Sequence, residues 1–169
     1  MTDQYDKLIV ATSTLHHTTP IGFGHFVCHN ESFRRGELIA TFNGVRRTPD
    51  GYVQRCQQGF GGYAIELRNG DVLDCYTAAQ SGDCLASMAN HSGENGFGAR
   101  FLIKHDGIHE ARSNAHIKIS RSVVRLIAGR IHENFGDSGS EDDDTIVLRG
   151  GDEILWNYRV NQFLNYFNI

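Results

Sequence analysis

Three short stretches of this chain hold residue types that could do chemistry. Ile21-Gly22-Phe23-Gly24-His25-Phe26-Val27 sets two glycines around an aromatic residue, and glycine lets backbone turn tightly or come close to a ligand. Asn90-His91-Ser92 groups an amide, an imidazole and a hydroxyl, which can donate to and accept from a polar ligand, behind the small and apolar run Leu85-Ala86-Ser87-Met88-Ala89. Gly151-Asp152-Glu153-Ile154-Leu155-Trp156-Asn157-Tyr158 is a turn that leads into alternating apolar and aromatic residues and ends on a phenol. Taken singly, each has an ordinary structural explanation: a tight turn, a hydrogen-bonded turn and an edge strand with core aromatics. Gly22-x-Gly24 has no third glycine and no helix pattern behind it, which argues against a Rossmann dinucleotide site.

Other reactive residue types are scattered. The nine histidines, among them His16-His17 and His105 with His109, fall on no helix face and have no cysteine at ligand spacing, so no metal site is expected. Cys28, Cys56, Cys75 and Cys84 show neither zinc-knuckle spacing nor the density of a disulfide framework, and are expected to be free, mostly buried thiols.

The elements that must position these residues are short strands. Nineteen glycines against two prolines, with brief apolar runs between them, predict a mainly β chain with short helices. Strands are expected at 7–11, 26–28, 38–42, 63–68, 72–75, 99–104, 117–119 and 123–128, with Asn69-Gly70-Asp71 as a hairpin turn. A short buried turn is expected over 83–90 and a terminal helix over 160–167. The stretch around 136–146, with Asp142-Asp143-Asp144, is acidic and has no apolar anchor, which predicts a solvated loop inserted into one domain of 1–169, followed by a short C-terminal segment at 159–169.

The 169 residues and 40% hydrophobic content suit one domain with a sizeable core. A net charge of −4 and a pI near 6.1 give no basic field of the kind that holds nucleic acid, so direct nucleic-acid binding is not expected. No apolar run approaches a membrane span, and no charged stretch followed by an apolar run opens the chain; an intracellular, soluble protein is the expectation.

Taken together and in order, Gly22-x-Gly24 with Phe26, Gly36-Glu37 with Ile39, Phe42-x-Gly44, Tyr63, Asp74, Asn90-His91-Ser92 and Gly151-x-Glu153 ending in Tyr158 resemble the motifs of SET-domain protein lysine methyltransferases. The resemblance spans most of the chain. It implies a SET-type β-clip fold of several small sheets, closed by a C-terminal pseudoknot that brings Asn90 and Tyr158 together. It also implies S-adenosyl-L-methionine as cofactor, held by Ile21, Gly22, Phe23, Gly24, Asn90, His91 and Tyr158. Tyr158 matches the family's catalytic tyrosine, while Tyr63, Trp156 and Phe42 match positions that line the channel for the substrate lysine. The implied activity is protein-lysine N-methylation, with a histone tail as the expected substrate, in the nucleus if so and in the cytoplasm otherwise. The alternatives are a non-histone substrate, or a catalytically silent SET-like module that binds a peptide.

The sequence also departs from the family. Trp156 stands where the family has Phe or Tyr, and a bulkier ring without a hydroxyl predicts restricted product states. Gly93 replaces the family's cysteine after Asn-His-Ser, and the Cys-rich zinc-binding flanks are absent. Aromatics in 161–167 could cover the site in their place, or pack against a second copy in a homodimer.

Overall fold

The computed structural model describes residues 5–16, 22–92, 100–130 and 145–157. In chain order its strands and helices are β1 (Leu8–Thr12), β2 (Leu15–His16), β3 (Phe23–Val27), β4 (Ser32–Arg34), β5 (Leu38–Thr41), β6 (Val45–Arg47), α1 (Pro49–Gln57), β7 (Ala64–Glu66), β8 (Val72–Asp74) and α2 (Tyr76–Ser81). A 3-10 turn, Leu85–Met88, then leads into β9 (Asn90–His91), β10 (Phe101–Lys104), β11 (Gly107–Glu110), β12 (Ala115–Ser120), β13 (Val123–Ala128), β14 (Ile146–Arg149) and β15 (Leu155–Trp156).

These strands form small sheets rather than one large one. The pairs are β1 with β3 and β4 with β14; the three-stranded sheets run β6-β8-β7 and β11-β10-β2; the largest runs β5-β13-β12-β15-β9. The apolar, β-branched runs dictate this locally, since Val124, Leu126 and Ala128 of β13 alternate into the core while Arg125 points away from it. The Asn69-Gly70-Asp71 turn joins β7 to β8 as expected, with Gly70 at φ 87° and Asn69 Oδ1 accepting from the Asp71 amide at 3.2 Å.

One core cluster ties four of the five sheets together, with Phe33, Ile39, Leu126, Leu148 and Ile154 wholly buried, while the β11-β10-β2 sheet packs through Leu15 and Leu102 against Ala111 and Leu155. Each such side chain stabilises the fold by roughly 1.5–3 kcal/mol. A satellite cluster of Tyr52, Ala64 and Val72 fastens α1 to the β6-β8-β7 sheet, where Tyr52 also accepts a hydrogen bond from the Gly62 amide at 3.1 Å.

The last described strand decides the topology. β15 lies between β9 and β12 and is parallel to both, with Leu155 opposite Asn90, Trp156 opposite His91 and Ala115 opposite Trp156. Residues late in the chain thus fill a slot between two earlier strands, the insertion on which a C-terminal pseudoknot depends. The stretch 131–144, most of the acidic run, and residues 158–169, with the expected terminal helix, lie outside the described residues.

The observed elements differ from the expected ones in physical ways. α1 was not foreseen because it turns only Tyr52 inward and so carries little helical apolar period, although Thr48 caps it by accepting from the Gly51 amide at 3.2 Å and Pro49 opens it. α2 likewise has no buried residue, and it ends on Gly82 in the left-handed conformation. The expected strand 63–68 is shorter, because Tyr63 itself adopts a positive φ of 55° and pairing starts at Ala64.

Candidate functional site

Glu153 organises the place where the distant motifs meet. Its side chain is buried, and its oxygens take hydrogen bonds from three residues in two distant parts of the chain. Oε1 accepts from Ser13 Oγ at 2.6 Å and from Asn90 Nδ2 at 3.1 Å; Oε2 accepts from the Thr14 amide and the Thr14 hydroxyl, both at 3.0 Å. All four donors are neutral groups, so they satisfy the carboxylate without cancelling its charge.

The glycine loop is fastened to the same carboxylate. β3 pairs with β1 in a register that sets Gly24 opposite Ala11, and the Ser13 amide donates to Gly22 O at 2.6 Å. A Cβ at Gly24 would collide with Glu153 Oε1 and stand 2.9 Å from its Cδ and 3.2 Å from Asn90 Nδ2. Glycine is required here by close approach. At Gly22 the requirement is conformational, with φ 109° and open space on the Cβ side. Between them Phe23 is 66% exposed, although its carbonyl accepts from Asn90 Nδ2 at 2.9 Å.

Asn90 therefore bridges the glycine loop and Glu153 through its amide nitrogen, while its strand pairs with Leu155. Both amide protons are used inside the protein. What this side chain does first is hold the loop, and Oδ1 or the backbone must supply any contact to a cofactor. Sequence reasoning missed the residues that complete this arrangement. Ser13 and Thr14 are the partners of Glu153, and Asn114 pins β15 by donating to Glu153 O at 2.8 Å and accepting from the Leu155 amide at 2.9 Å. No local pattern marks them, because their partners lie 39 to 140 positions away in sequence.

Trp156 is 2% exposed and meets the Phe42 ring edge-on, with centroids 6.0 Å apart. The two form an apolar wall continuous with the main core. Tyr63 is in different company. It is about one-third exposed and its ring neighbours Tyr76 at 6.3 Å, which in turn meets Phe60 at 5.7 Å. Ile21, Tyr158 and Gly93 lie outside the described residues, as does the side chain of His91, whose backbone pairs with Trp156.

One buried group beside the site is unusual. His25, between Gly24 and Phe26, is fully buried, and neither ring nitrogen has a hydrogen-bond partner among the described residues. Burial pushes its pKa down to about 4, so the ring is neutral at physiological pH.

No protein-family model matches the sequence, and no curated protein matches it. Among solved structures, a chain of an apo ctPRC2 assembly with mutations in Ezh2 is similar to this one with a TM-score of 0.50 at 14% identity. The match covers 91% of this chain but only 15% of that chain. At this identity the likeness shows the fold alone, a SET-like arrangement of small β-sheets with few helices.

The residues at the site fit the cofactor that the motifs imply. Open space beside Gly22 and the exposed Phe23 ring suit a flat heteroaromatic group, and the uncancelled charge of Glu153 behind them favours a cation over an anion.

Proposed function

We propose that this protein is an S-adenosylmethionine-dependent protein-lysine N-methyltransferase. The observation that carries the proposal is the convergence of the glycine loop, Asn90 and Glu153, with the Asn90 amide bonded to both Phe23 O and Glu153 Oε1 and Gly24 packed against the carboxylate, on a SET-like fold whose late strand β15 runs through that point. Three stretches separated by more than sixty residues each have no reason to meet there in a generic β domain.

When bound, S-adenosylmethionine supplies an electrophilic methyl on a sulfonium sulfur. The chain's own work is positional and electrostatic. Gly22, Phe23 and Gly24 form one wall, with the loop held in place by Asn90 and by the Ser13 amide. The buried carboxylate of Glu153 lends this corner negative potential, which favours a positively charged ligand. Phe42 and Trp156, packed edge to face in the core, would form the buried apolar floor of a lysine channel, and the partly exposed Tyr63 is a further candidate for lining its path. Desolvation there would lower the pKa of an incoming lysine ammonium from its ordinary value of about 10.4 and so favour the neutral, nucleophilic amine. Alignment of nitrogen, carbon and sulfur accounts for most of the rate in such a displacement. Tyr158 follows Asn157 directly in the sequence and matches the catalytic tyrosine of the family that the motifs resemble, so its hydroxyl would be the group that assists the transfer.

A second function draws on one specific observation. Asn90 spends both amide protons on the protein, as expected of a SET-like peptide-binding module that transfers nothing. Incubation with tritiated S-adenosylmethionine and core histones or a cell extract separates the two. Methyl transfer predicts label in protein with the native chain and loss of most of it with Tyr158→Phe; a silent module predicts no label with either.

A further inference from the structure

β1 leaves one edge open. Its pairing with β3 sets Ile9 opposite Phe26 and Ala11 opposite Gly24, and the pairs just outside the strand fix which residues bond across: the Cys28 amide donates to Lys7 O at 2.8 Å and the Ser13 amide to Gly22 O at 2.6 Å. Lys7, Ile9, Ala11 and Ser13 therefore spend their backbone groups on β3. By the alternation of an antiparallel ladder, the N–H and C=O of Leu8, Val10 and Thr12 point the other way. Among the described residues no strand lies on that side, since β1 and β3 form a sheet of two.

The open stretch has definite ends. Before it, Tyr5–Lys7 is a 3-10 turn; beyond it the chain is paired again, with the Ile103 amide donating to Thr14 O at 2.9 Å and β10 running beside Leu15 and His16. Between these limits lies Leu-Ile-Val-Ala-Thr, without a charge, a proline or a bulge. Natural edge strands are ordinarily guarded by one of these. Ile9 and Val10 are instead apolar and 45% and 42% exposed.

We propose that a second copy of this chain fills the edge, β1 pairing antiparallel with β1 about a two-fold axis at Val10. Val10 opposite Val10 sets Leu8 opposite Thr12 at each end, which joins the outward-facing backbone groups and pairs all five residues. The incoming strand turns into its own Tyr5–Lys7 at the point where β10 begins to occupy the edge, so the length of the gap and the length of the strand agree. No charge falls within the paired span, and Ile9 of one copy stands opposite Ala11 of the other, whose neighbour across β3 is Gly24 of the glycine loop. An unrelated peptide finds little here to recognise, Thr12 being the only polar side chain along the strand. The assembly is also closed. The far edge of β3 is already taken, with the Val27 amide donating to Asp152 O at 2.9 Å and the Ile154 amide to His25 O at 2.7 Å, so the joined sheet stops at four strands and gives a two-fold dimer rather than a fibre.

Sedimentation equilibrium of the native full chain tests this, with hydrogen exchange over 8–12 followed at the same concentrations. The expected mass moves from one chain of 18.9 kDa towards two as concentration rises, and protection of 8–12 rises with it. Val10→Lys sets two like charges opposite each other at the axis, and it is expected to sediment as a single chain where the native protein is paired. Val10 is partly exposed, so the variant should keep its fold, which circular dichroism checks; if it does not, the exchange of the native chain decides alone. A native chain that stays single at every concentration, a dimer whose 8–12 amides exchange at the monomer's rate, or a dimer that persists unchanged in folded Val10→Lys would overturn the proposal.

Discussion

A carboxylate oxygen of Glu153 occupies the space that a Cβ on Gly24 would need, and the two residues are 129 positions apart. That contact explains why the glycine loop cannot tolerate a side chain at its second glycine, and it makes Gly24→Ala the sharpest structural variant. The added methyl meets the carboxylate tip of Glu153, which burial and four hydrogen bonds hold in place, so Glu153 must shift away from Ser13, Thr14 and Asn90. Overpacking of this kind costs about 1–3 kcal/mol, which thermal or urea denaturation will show as a lowered midpoint with an unchanged m-value.

Glu153→Gln keeps the shape but turns an acceptor-only group into one whose amide faces the donors of Ser13, Thr14 or Asn90. At least one of the four hydrogen bonds is lost, with an expected destabilisation of roughly 1–3 kcal/mol. The variant also removes the negative charge behind the loop. Affinity for S-adenosylmethionine should fall, and more steeply than for an uncharged analogue such as S-adenosylhomocysteine, as paired calorimetric titrations will show.

His25 makes stability depend on pH in a defined window. Its pKa is about 4 in the fold and near 6.5 in the unfolded chain, so between those values the unfolded state binds the extra proton. The His25 contribution is therefore fully present above about pH 6.5, is lost as pH falls towards 4, and changes no further below that. A shift of this size corresponds to about 3 kcal/mol. Urea denaturation at pH 7.5 and pH 4.5 should show a fall in stability that is markedly smaller in His25→Leu.

Asp74 anchors α1. Its buried carboxylate accepts from Arg47 Nε at 2.6 Å and Arg55 Nε at 3.2 Å through Oδ2, and from the Tyr76 amide at 3.1 Å through Oδ1. Asp74→Ala strands two guanidinium groups that are each less than a third exposed, and should cost about 3 kcal/mol. Hydrogen exchange will show the loss concentrated in 49–57 and 72–76.

Trp156 fills the space beside Phe42 with an indole. The native chain is expected to stop short of efficient trimethylation, and Trp156→Phe to extend the product range. Mass spectrometry of a methylated peptide checks both; predominant trimethylation by the native chain contradicts the role given to Trp156.

The sequence was most legible where pattern is local. The apolar runs of β1, β5 and β13 and the turn at Asn69-Gly70 announce themselves within a few residues, because pleat and turn chemistry act at that range. The motifs at 22–24, 90–92 and 151–156 were visible too. What joins them was not, since Glu153 finds Ser13 and Thr14 across almost the whole chain and β15 pairs with strands whose sequences carry no trace of it. α1 escaped notice for the opposite reason, as an exposed helix with one buried residue has caps but almost no period. The free cysteines were foreseen, whereas the packing of Cys75 and Cys84 against the turn at 43–44 involves residues that neither is near in sequence.

The most direct measurement is a calorimetric titration of S-adenosylmethionine into the native chain and into Phe23→Ala. Phe23 is largely exposed, so the variant should melt at the native temperature, and any change in affinity reports on contact at the glycine loop. The predicted result is one cofactor per native chain, bound about tenfold more weakly by the variant, a difference of about 1.4 kcal/mol. No binding by the folded native chain, or equal affinity in the two proteins, would contradict a cofactor site at this corner.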